Sequence, residues 1–192
     1  MSLSLLSPSA NGSRLGPVEP RHAPLFCFVL LTMSCALASF GLACATPFAA
    51  FAVIAAAMLP LRSALLVVTG AWLVNQGIGF GALHYPIDGN TTLWGLAIGI
   101  AALVATATST AVLRLRRQAT TPLVLALALI GSYGVYEVAL LAATPFLGGA
   151  DNFTAAIVAR IGVLNGVWLI GLVAACEIVR LLNPFKRGHT AS

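Results

Sequence analysis

"PFAAFAVIAAAMLPLR", residues 47 to 62, is the stretch on which the architecture turns. The run from Pro47 to Pro60 is apolar but short. As a helix its roughly 14 residues span about 21 Å, against a hydrocarbon core of about 30 Å. Such a segment either crosses a membrane as a short span or re-enters on the side it left. The loop cations decide between the two. Crossing gathers Arg14, Arg21, Arg62, Arg114, Arg116, Arg117, Arg180, Lys186 and Arg187 on the cytoplasmic side. Re-entry flips every later loop and exports the cluster at 114 to 117. Short cytoplasmic loops are the ones enriched in Lys and Arg, so crossing is the better reading.

The flanking sequence supplies the rest of the bundle. Of 192 residues 59% are hydrophobic and only 8% charged, whereas a soluble domain carries about a quarter charged residues. Apolar runs at 25–43, 63–83, 91–113, from near Pro122 to "TPFLGG", and at 153–179 join the short one. The expectation is an all-α, polytopic membrane protein: a six-transmembrane-helix bundle with N and C termini cytoplasmic. It sits as a multi-pass protein in the plasma (inner) membrane, with membrane lipid around it. Residues 1–24, rich in Ser, Pro and Gly, are expected to form a disordered cytoplasmic tail. Residues 25–182 form the transmembrane domain, and 183–192 a basic cytoplasmic tail.

The net charge of +5 serves orientation and does not imply nucleic-acid binding. Cys27, Cys35, Cys44 and Cys176 show no paired spacing. They read as small packing residues, with no disulfide or metal site.

Polar groups are concentrated in "NQGIGFGALHYPIDGNTTLWGLAIG", residues 75 to 99. With a rise of about 1.5 Å per residue, Asn75 and Gln76 lie about 11 to 12 Å below the outer surface. Glu137 lies about 13 Å down and Arg160 about 10 Å down. Three helices thus bring amide or ionisable groups to one layer, the expected ligand-binding level. Intramembrane charges cost about 2.5 to 3.5 kcal/mol each and normally pair. Glu137 and Arg160, on antiparallel neighbours, are expected to form an ion pair, which serves helix register alone or ligand contact as well.

Tyr133 shares the Glu137 face, Tyr136 is adjacent, and His84, Tyr85 and Trp94 gather near the mouth. Trp94 reads first as an interfacial belt residue and second as a ligand-stacking one, and Trp72 and Trp168 as core. In "HYPIDGN" the Pro86 and Asp88-Gly89 pairing is turn chemistry, with Asn90 or Thr91 capping the next helix. That leaves His84 and Tyr85 without a structural reason. Glycines four apart at Gly77/Gly81, Gly95/Gly99 and Gly162/Gly166 predict close helix packing, with Asn165 hydrogen-bonding across such a contact.

No nucleophile, base and orienting acid recur at a recognisable spacing, and no phosphate loop or zinc helix is present. The chain is not expected to be an enzyme, to hold a cofactor or metal, or to hydrolyse ATP.

Residues 46 to 81, "TPFAAFAVIAAAMLPLRSALLVVTGAWLVNQGIGFG", place a Pro before a short Ala-rich helix, then a long helix ending in polar residues and "GFG". This resembles the second and third spans of S components, the substrate-binding membrane subunits of energy-coupling factor (ECF) vitamin transporters. The resemblance implies uptake of a small vitamin-like or cofactor-precursor molecule entering from the outer face. It also implies a transmembrane coupling subunit with two ATPases, docked on small residues of the first helix, here Ser34 and Ala38. The alternative is a structural or assembly protein scaffolding a larger membrane complex. A membrane enzyme acting on a lipid or isoprenoid ranks last.

Overall fold

The computed structural model describes residues 14–42, 45–116 and 118–182. Cys44, Arg117 and the tail expected at 183–192 lie outside them. All described secondary structure is helical: α1 (Ala23–Leu42), α2 (Phe48–Met58), α3 (Leu61–Gly77), α4 (Gly89–Leu115), α5 (Thr121–Leu147) and α6 (Ala155–Leu182). A π-helical turn, Ile78–Ala82, continues α3, and a 3₁₀ turn, Ala150–Phe153, precedes α6.

The decisive stretch is the centre of the molecule. Every residue of α2 but Ala56 is buried, and α1, α3, α4, α5 and α6 all touch it. A helix apolar around its whole circumference has no face to offer water and is stable only when enclosed. Alanine at six of its eleven positions keeps the post thin enough for five walls to close on it. Phe51 fills the remaining space, edge-on to Phe48 and to Trp168 of α6, with ring centroids 5.8 and 6.3 Å apart.

Two groups of contacts fix the helix directions. At the far end of α2, the backbone N–H groups of Arg14 and Leu15 donate to Ala57 O at 2.8 and 3.3 Å. The Arg14 guanidinium donates to Ala119 O and Arg116 O at 2.9 and 2.8 Å, in the turn between α4 and α5. At the near end, Asn75 of α3 donates to Ser39 of α1 and to Thr46 just before α2. So α1 and α3 run in one direction and α2 returns between them, end to end. Antiparallel to both, α2 itself covers only about 16 Å and is shorter than the helices long enough to cross a membrane.

The outer helices turn apolar side chains outward. Five of them are long and apolar enough to cross a membrane, as in a multi-pass membrane protein. Their outward faces carry residues such as Met33, Leu37, Leu66, Ile130 and Ile170, all well exposed. Close approach uses small residues, as sequence anticipates at Gly95 and Gly99, but not at Gly77, Gly81 or Gly166, whose Cβ positions are open. Instead Gly70 accommodates the Phe28 ring of α1.

Two further corrections concern the first helix and the tail. Ala38 is fully buried and offers no outward docking surface, whereas Ser34 is half-buried. From residue 14 onward the expected disordered tail is held in place. Leu15 is 2% exposed, and the segment closes the bundle over the C-terminus of α2, whose last carbonyls lack helical partners.

Candidate ligand site

The site grows from the end of α3. Asn75 Nδ2 donates to Ser39 Oγ at 2.9 Å and to Thr46 Oγ1 at 3.0 Å, and its Oδ1 accepts from Gln76 Nε2 at 3.1 Å. Ser39 Oγ donates onward to Cys35 O at 2.8 Å. One amide thereby ties α1, α3 and the entry to α2 together. Just below, Trp72 Nε1 donates to Gly95 O at 2.9 Å, fixing α4 against α3. Gly95 and Gly99 are needed here, since a methyl group at either would run into Gln76 Oε1 or the Trp72 ring.

Above Asn75 the α-helix widens into the π turn, closed by Leu83 N–H donating to Ile78 O at 2.9 Å. The chain then doubles back at His84, whose φ of 54° lies in the left-handed region that costs a non-glycine residue about 1 kcal/mol. Tyr85 N–H reaches Gly79 O at 3.0 Å, and the ring lies directly on Gly79. His84 is thus a corner of the backbone, its side chain exposed. Tyr85 is the side chain that the corner folds over the helix end.

The loop ends on Asp88, which caps α4 by accepting from Thr91 N–H at 2.7 Å. The cap is Asp88 and not Asn90 or Thr91, because the helix already begins at Gly89. The Thr91 N–H holds the Asp88 carboxyl below the usual carboxylate range.

Between α1, the α2 entry, α3, α4 and α5 these groups enclose a cavity of about 150 Å³. Asn75, Gln76, Tyr85, Trp94 and Tyr136 line it, as does Thr46. His84, Tyr133, Glu137 and Arg160 do not. Tyr133 instead donates its hydroxyl to Val158 O at 2.6 Å, with its ring against Gly162 of α6. Arg160 is exposed, and among the described residues carboxylates pair only at Glu19 and Glu177. The expected Glu137–Arg160 ion pair is therefore not formed. Val158 and Gly162 face α5, and Arg160 sits two residues from each, about 200° around the helix. Equal depth brought the two groups level, but rotation turned one away.

Ser39, Thr46, Phe48 and Phe80 belong to the lining and were missed by sequence reasoning. Ser39 and Thr46, hydroxyls at the ends of apolar runs, were the available signal.

An all-helical bundle that encloses a short central helix and opens a small, uncharged cavity beside the entry to that helix defines the class. No family model matches the chain, and neither does a curated protein or a solved structure.

Proposed function

We propose that this chain is the substrate-binding subunit of a membrane uptake system, with six spans, both termini cytoplasmic, and the cavity opening outward. The observation carrying the reading is the Asn75-centred network, which spends its hydrogen bonds on framing a cavity at the end opposite the arginine-bearing turns. Positive-inside bias puts Arg14, Arg62, Arg114, Arg116 and Arg180 in the cytoplasm, hence the cavity on the outer side of the plasma (inner) membrane. In keeping with the S-component likeness of residues 46 to 81, the cargo is a small vitamin-like or cofactor-precursor molecule. Energy comes from a transmembrane coupling subunit with two ATPases, in keeping with a sequence that has no Gly-rich phosphate loop with Lys.

The test is a thermal-stability panel of small nutrients on purified protein. At least one compound raises Tm, and Gln76→Ala removes the rise. A well-folded protein that no compound stabilises overturns the reading. Purification in mild detergent addresses the rival, a scaffold for a larger membrane complex, which the apolar row Val163, Val167 and Ile170 on the outer face of α6 favours. Recovery with an ATPase pair supports uptake, and recovery within a respiratory or photosynthetic assembly supports scaffolding.

A further inference from the structure

The lining of the cavity limits what it can hold. None of its side chains carries a charge. The ionisable groups bordering it are carboxyls: Asp88, bonded to the Thr91 backbone at the mouth, and Glu137, next to Tyr136 in sequence, and their negative charge disfavours anions. An ion entering this site would lose its hydration with no counter-charge to replace it, a transfer that costs several kcal/mol or more. The occupant is therefore neutral.

Its size follows from the volume. A cavity of about 150 Å³ is comparable to one known to accept a single benzene ring. Phe48, Phe80, Tyr85 and Trp94 supply aromatic walls, which favour a flat ring through stacked or edge-on packing.

Hydrogen-bond accounting identifies the edge of that ring. Asn75 is fully committed, with two N–H groups given and its oxygen accepting. Gln76 uses one N–H, on Asn75, and keeps its second N–H and Oε1 available. A primary amide offering both a donor and an acceptor is matched by another amide or by a lactam. Tyr136, 8% exposed, lines the same cavity, and its hydroxyl bonds to none of the described residues. That hydroxyl is available to an occupant of the cavity as donor or acceptor.

Resting on the binding reading above, we propose that the cavity takes an uncharged, planar, single-ring molecule bearing a carboxamide or lactam, recognised by Gln76 and Tyr136. The test uses benzamide and benzoate, which share ring and shape and differ in charge, together with uracil as a cyclic lactam. Full-chain protein in detergent is titrated with each, reading Tm. Benzamide or uracil stabilises, benzoate binds at least ~100-fold more weakly, Gln76→Glu and Tyr136→Phe reduce the response, and the unliganded Tm of Tyr136→Phe stays near wild type. If Gln76→Glu does not fold, Tyr136→Phe and the matched pair still decide. Benzoate binding as well as benzamide overturns the proposal, as does stabilisation indifferent to both variants. Stabilisation by charged nutrients alone overturns this class and leaves the uptake reading standing, whereas silence from every compound overturns both.

Discussion

Asn165, on α6, accepts a hydrogen bond at its side-chain oxygen from the backbone N–H of Ala50 in the first turn of α2, at 3.0 Å. The first N–H groups of any helix lack helical partners, and Pro47 offers no side-chain cap. Asn165 supplies one from another helix, and anchors itself by donating to Ile161 O at 3.0 Å. Replacing it with Leu keeps the volume and strands a buried donor. Asn165→Leu is expected to lower stability by about 1 to 3 kcal/mol, read by thermal or denaturant unfolding in detergent. An unchanged unfolding midpoint would show that α2 does not depend on this cap.

Gly95 and Gly99 lie one turn apart and are expected to respond differently. A methyl group at Gly95 meets the tip of the flexible Gln76 side chain, which can swing aside. Gly95→Ala is expected to leave stability near wild type and to weaken ligand binding several-fold. At Gly99 the obstacle is the Trp72 ring, held by its own hydrogen bond. Gly99→Ala is expected to cost about 1 to 3 kcal/mol through overpacking. Equal effects of the two changes on Tm would contradict this account.

Leu15 is enclosed beneath the turn joining α4 and α5, and Arg14 fastens it there. Leu15→Ala is expected to cost about 2 kcal/mol as a buried large-to-small change. Arg14→Ala is expected to cost less, because its guanidinium is largely in water. Protease sensitivity near residue 14 should rise in both. A chain lacking residues 1 to 17 that melts like the full protein would refute the closing role.

The Asp88 cap carries a pH dependence of definite sign. Its carboxyl titrates lower in the folded protein than in the unfolded chain. Its contribution is therefore present above the unfolded value, about 3.9, and lost as pH falls through the lower folded one. The Tm difference between wild type and Asp88→Ala is expected to be constant from pH 5 to 8 and to vanish in stronger acid, while Asp88→Asn retains much of the cap.

The sequence made depth legible but not rotation. Spacing along each run placed Asn75, Gln76 and Tyr136 at a common level, and the structure gathers them. The same arithmetic placed Glu137 and Arg160 level, yet helical phase on α6 sends Arg160 outward. That phase follows from how Tyr133 seats on Gly162, a long-range packing choice that no local pattern encodes. The loop shows a related limit. Turn chemistry at Asp88-Gly89 was readable, whereas the left-handed corner at His84 depends on Tyr85 finding Gly79. Cation counting, which sums over the whole chain, set α2 antiparallel to its neighbours, and the structure has that arrangement. It left unseen that residues 14 to 17 pack as part of the bundle.

The central post also bears on how the molecule is made. A segment of eleven residues is too brief to be recognised as a span when it leaves the insertion machinery alone, since about 20 are needed. In a six-span topology α2 crosses only in the company of its neighbours. Biogenesis then becomes a joint event, in which early helices wait, unsealed, until α4 to α6 are synthesised and the ring can shut.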